Sequence, residues 1–139
     1  MRGSSEAHRV AGRLPDGRSN TVKVNVARPG TLVVLKALAL SGRDKPKDAH
    51  DIDFLLAHVP GGIEQVAREI AGFGNVAPVA EALSSLDEKY ASEDSYGPQS
   101  VAIYRRLVLG TDEAYEVQAL AYARVKTLLK SISAGSSPR

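Results

Sequence analysis

Residues Thr21 to Val26 alternate strictly, with Val22, Val24 and Val26 on one side and Thr21, Lys23 and Asn25 on the other. That period of two belongs to a strand with one buried face. The preceding stretch, His8 to Leu14, is joined to it through Pro15-Asp16-Gly17, a turn sequence in which Pro presets φ and Gly supplies φ > 0. The pattern predicts a β-hairpin closed by Pro29-Gly30. Two strands alone are marginal in water, so the hairpin needs further cover.

From Thr31 onward the period is helical. Thr31 is placed to cap a helix reaching Ser41, with Gly42 as its stop. Leu32, Val33, Val34, Leu35, Ala37, Leu38, Ala39 and Leu40 wrap almost all the way round it, which predicts a buried helix. Arg43-Asp44-Lys45-Pro46-Lys47 is a basic turn, with Asp44 as cap and Pro46 in the first turn of a second helix ending near His58. A third helix runs through Ile63, Val66, Ala67 and Ile70 to Gly72 and Gly74. A fourth carries Val76, Val79, Leu83, Leu86 and Tyr90, and a polar loop spans 91–97. A fifth starts at Pro98 and buries Val101, Tyr104 and Val108. Thr111 caps the last, with Asp112 and Glu113 in its first turn and an apolar face of Ala114, Val117, Ala121, Val125, Leu128 and Ile132. The expected fold class is α+β: a short N-terminal hairpin (1–29), a domain of about six helices (30–132) and a disordered tail (133–139).

Composition narrows this little. A chain of 139 residues, 43% hydrophobic, can bury a core, and 5% aromatics favour close-packed helices over a β-sandwich. With no cysteine there is no disulfide and no Cys-ligated zinc. The longest apolar run is broken at Lys36 and is short of a membrane span, and no secretory leader is legible, so a cytoplasmic chain is expected. Charge is uneven. Met1 to Lys47 carries ten Lys/Arg and three Asp/Glu, or +7; the remainder carries eight and thirteen, or −5. A basic front half suits phosphate or RNA, and equally a solvated basic face.

Lys36 is the residue that the apolar pattern does not explain. Its stem reaches solvent, or its charge meets an anion. If the two helices flanking the basic turn pack antiparallel, Lys36 and Arg43 share a face that Asp48 and Asp51, three apart, are placed to meet. A purely structural account is also open, in which Asp48 serves the helix N-terminus and Asp51 neutralises Lys36. Asp53 falls on nearly the opposite side.

The residues Lys36-Ala-Leu-Ala-Leu, Arg43, Lys47-Asp48-Ala-His-Asp51-Ile and the following Leu55-Leu56 resemble the second half of AbiEii-type nucleotidyltransferase toxins. The Tyr96-Gly97-Pro98 segment and its neighbouring helices look similar to that family's helical C-terminal part. The resemblance implies transfer of a nucleotide from a metal-bound nucleoside triphosphate to an RNA or protein acceptor. Lys36, Arg43 and Lys47 would contact the triphosphate, and Asp48 or Asp51 would orient Lys36 or act as a base. Mg²⁺ and NTP are implied as cofactors, and an antitoxin or a complementary N-terminal half as partner. Such transfer depends mainly on positioning and charge neutralisation.

One departure matters. The family's metal site is a Gly-Ser element followed by D-x-D on a strand; here Gly3-Ser4 leads to no such pair. Asp51-Ile52-Asp53 spells D-x-D, but on a helix residues two apart diverge. No metal ligands are therefore assigned. His8, His50 and His58 lack metal spacing, and Ser84 and Ser85 lack triad partners. Gly61-Gly62 and Gly72-Phe73-Gly74 read as helix stops. The basic residues Arg9, Arg13, Arg18, Lys23 and Arg28 have no interleaved aromatics and suit only non-specific RNA contact. Three readings stay open: a truncated or split nucleotidyltransferase, inactive alone; a non-catalytic helical module for RNA or a protein partner; and a complete enzyme with unrecognised metal ligands.

Overall fold

The computed structural model describes residues 28–42 and 45–134 with their side chains. Among them six helices account for 79% of residues and no strand occurs. The α+β expectation is corrected accordingly: the described body is all-helical. The anticipated hairpin falls on residues 1–27, outside this part, and the core is completed by helix against helix without a sheet. The helices are α1 (Pro29–Gly42), α2 (Pro46–His58), α3 (Gly62–Gly72), α4 (Ala77–Lys89), α5 (Tyr96–Tyr104) and α6 (Asp112–Gly135).

Helix α1 is the hub, packing on α2, α3 and α4; α6 crosses α3 and α5, and α2 lies along α5. The core takes one or two large side chains from each helix, among them Val33, Leu40, Ile52, Ile70, Leu86, Val101 and Leu128. Fully buried small positions are common: Ala37, Ala49, Ala82, Ala102 and Ala114 are at 0% exposure. Small residues at these contacts let helix axes approach closely, so few aromatics are needed to fill the space.

Several element ends differ from expectation. Helix α1 begins at Pro29, two residues before Thr31. Pro suits the first helical position, and the Gly30 N–H donates to Glu69 Oε1 of α3 at 2.7 Å. The acceptor that starts this helix therefore comes from 39 residues away. Helix α1 is also not wholly buried: Val33, Val34, Ala37 and Leu40 face inward while Leu35 is 55% exposed. At α2 the cap position holds Lys45 with no side-chain cap bond, and Asp44, the expected cap, lies outside the described residues. Gly61, Gly62 and Gly74 have positive φ at helix ends, as their reading as stops requires. Helix α5 starts earlier than Pro98 and ends at Tyr104, where Arg106 adopts φ 63°. The expected burial of Tyr104 and Val108 is corrected: both are exposed. Helix α6 is capped by Thr111, whose Oγ1 accepts from the Ala114 N–H at 3.3 Å, and continues to Gly135, into the expected tail.

The start of α5 rests on one close approach. Tyr90, fully buried just after α4, lays its ring against the Gly97 backbone, where a Cβ would come within 2.5 Å of ring carbons. Gly97→Ala is expected to lower stability by about 1–3 kcal/mol in urea denaturation, because neither ring nor backbone has room to shift. Gly72→Ala, with nothing within 4 Å of the added methyl, serves as the control and should be neutral or slightly stabilising. Equal costs at the two positions would refute the packing account.

Candidate functional site

Helix α2 presents its acids to two different neighbours. Toward α1, Lys36 Nζ stands 2.8 Å from Asp51 Oδ2 and 3.6 Å from Asp48 Oδ1. Lys47, one turn before Asp51, adds a second ammonium at 2.9 Å from the same Oδ2. Asp48 is buried in the first turn of α2, where a negative charge also favours the helix N-terminus. Lys36 keeps 30% of its side chain exposed, so its stem crosses the apolar face of α1 and its head reaches the surface. Lys36, Lys47, Asp48 and Asp51 are thus brought together. Arg43, the remaining residue of the expected cluster, lies outside the described residues.

Burial raises the Asp51 carboxyl, but the hydrogen bonds and charges of Lys36 and Lys47 outweigh it and hold the group below its ordinary value. The same contact raises Lys47. Each ammonium has three donors, and the acids on hand leave at least one free on Lys47, turned to solvent.

Toward the other side, Asp53 is 2% exposed and is clasped by two guanidinium groups: Arg124 Nη1 of α6 at 2.8 Å and Arg105 Nη2, just beyond α5, at 3.3 Å. Sequence reasoning missed this cluster. The arginines lie 52 and 71 residues downstream, and only the position of an acid on the inward side of α2 could have signalled a need for cations. The buried Tyr90 hydroxyl is pushed up by burial first, then by the nearby Asp53 charge and Tyr96. Asp51 and Asp53 therefore point into separate ion-pair clusters, as their helical spacing requires, and do not converge as a metal pair. Among the described residues no group of three or more His, Cys, Asp or Glu is placed to hold a metal ion.

Between these clusters, the outer face of α2 carries rings. His50 stacks on Tyr104 with centroids 4.5 Å apart, and Phe54 lies 6.3 Å from His50 and 4.3 Å from His58. The His58 Nδ1 lies 2.9 Å from the Phe54 carbonyl oxygen. Two clefts, of about 610 and 420 Å³, are lined from α3, α4, α6 and the α3–α4 turn and include none of these residues. The candidate site is thus an open surface around α2. No helix among the described residues is long and apolar enough to cross a membrane.

Comparison with family models, curated proteins and solved structures finds no match to this chain.

Asp53→Ala should cost about 1–2 kcal/mol in urea denaturation, because it removes two charge-assisted hydrogen bonds but leaves guanidinium groups that still reach water. A cost under about 0.5 kcal/mol, the range of ordinary surface changes, would refute this role. Asp51 gives a pH test. Its folded pKa is depressed from the ordinary 3.8, so its contribution to stability is present above that value and is lost as pH falls through the lowered pKa. Asp51→Asn should therefore reduce stability at neutral pH and flatten its loss in acid below about pH 4. An unchanged acid limb in thermal melts would contradict the pairing.

Proposed function

We propose that this domain is the phosphate-holding part of a nucleotidyltransferase-like site. Lys36, oriented by Asp51 and Asp48, meets the phosphates of a nucleoside triphosphate, with Lys47 beside it. The observation that carries this reading is the convergence of a lysine from an otherwise apolar stretch of α1 onto two acids one turn apart on α2. This is the arrangement that the resemblance to AbiEii-type nucleotidyltransferase toxins implies. A buried or half-buried ion pair adds little net stability over an apolar packing, which favours a use for it beyond stability.

The residues at hand do not fit a catalytic metal ion. The acids of α2 are committed to Lys36, Lys47, Arg105 and Arg124. In-line transfer between two metal ions needs carboxylates that converge, and Asp51 and Asp53 diverge. On this reading the metal-binding carboxylates come from other residues, in a complementary half or a partner such as an antitoxin-controlled complex, and the acceptor is an RNA or a protein. The described domain contributes binding and charge neutralisation, and works where nucleotides and RNA are abundant, in the cytoplasm.

The test is nucleotide binding by titration calorimetry with ATP, GTP, CTP and UTP in turn. At least one should bind, and Lys36→Met should weaken it by about tenfold or more, the loss of one charge-assisted hydrogen bond. Circular dichroism of the variant separates lost binding from lost folding. No binding by the parent chain to any of the four, or equal binding by a folded Lys36→Met, would overturn the reading.

A further inference from the structure

The ring-bearing face of α2 has features that phosphate holding does not use. His50, Phe54 and His58 recur every four residues along one side of the helix, and Tyr104 extends the row by stacking on His50. Phe54 is 53% exposed and Tyr104 43%. The chain has only two phenylalanines and five tyrosines, so two half-exposed rings in one row are a large share of its aromatic surface. The imidazole of His50 is fixed by this stacking, since its Nδ1 is buried with no hydrogen-bond partner among the described residues.

Two cations lie near the row. Lys47, 61% exposed, projects from α2 within electrostatic reach of Tyr104. Arg105 follows Tyr104 directly and is 40% exposed. The acids of this helix are already paired with cations, so no unpaired carboxylate of α2 repels an approaching anion. Protein interfaces share the rings and the arginine but are poor in lysine, so the exposed Lys47 beside the rings favours a chain of flat bases joined by phosphates.

We propose that this face of α2, with Tyr104, binds single-stranded nucleic acid, stacking bases on Phe54 and on the His50–Tyr104 pair and meeting backbone phosphates with Lys47 and Arg105. Single strands are favoured over duplexes because their bases are free to leave one another for a protein ring. The rings are not part of the phosphate site at Lys36; of the residues invoked, Lys47 alone is shared between the two.

The test is fluorescence anisotropy of the full chain with labelled oligouridine and oligoadenosine of about 12 nucleotides, and with a blunt duplex of equal length, at low salt. The single strands should bind more tightly than the duplex. Phe54→Ala combined with Tyr104→Ala should weaken single-strand binding by about tenfold or more. Phe54→Leu, which keeps apolar volume without a ring, should weaken it while leaving the helical signal intact. Lys47→Ala should lower the salt dependence by about one unit of slope. Preference for the duplex, no binding, or unchanged binding by the folded Phe54→Leu and double variants would overturn the proposal. So would sedimentation showing a dimer that the double variant dissolves, since the rings would then belong to a self-interface. Lys36→Met separates the two sites: it should weaken nucleotide binding by about tenfold or more and leave single-strand binding largely in place.

Discussion

The orientation of α2 depends on charges that grip it from opposite sides. Asp48 and Asp51 answer Lys36 on α1, and Asp53 answers Arg105 and Arg124 from the far side. Apolar packing of Ala49, Ile52 and Leu56 buries the inner face of the helix between these two grips. A rotation that removed Asp53 from its arginines would leave a buried charge unpaired, which costs several kcal/mol on top of the apolar area exposed. The ion pairs therefore add less to the depth of the native state than to its uniqueness.

Once that rotation is set, the outer face of the helix is set with it. Lys47, His50, Phe54 and His58 point outward because Asp48, Ile52 and Asp53 point inward. Tyr104 joins them because α5 ends there, the chain turning away through the left-handed Arg106. The exposed rings are a consequence of how the acids are satisfied, and both clusters and the ring row share one helix of 13 residues.

Much of this was legible in the pattern of residues, and what was not has a common cause. Lys36, Asp48 and Asp51 were readable because their pairing spans one short turn, and helical spacing places both acids on one side. The divergence of Asp51 and Asp53 followed from the same spacing. The arginines of Asp53 were invisible because nothing local relates position 53 to positions 105 and 124. The start of α1 was misread for the same reason: Pro29-Gly30 has the look of a turn until Glu69, on another helix, supplies the acceptor for the Gly30 N–H. The end of α5 was misread because Val108 keeps helical spacing with Val101 and Tyr104, while the residue that leaves the helix is an arginine, a type with no preference for φ > 0. The α+β expectation rested on alternation in residues outside the described body, which completes its core from helices alone.

What the site can do follows from which charges remain available. A carboxylate serves as metal ligand or general base only where it faces the reacting centre, and Asp51 and Asp53 each face ammonium or guanidinium groups instead. Cations differ. An ammonium or guanidinium holding one carboxylate retains donors for a second anion, and those of Lys47 and Arg105 face solvent. The same pairing that neutralises the acids therefore leaves a surface whose remaining polar capacity is for accepting negative charge. A phosphate-rich ligand matches that surface.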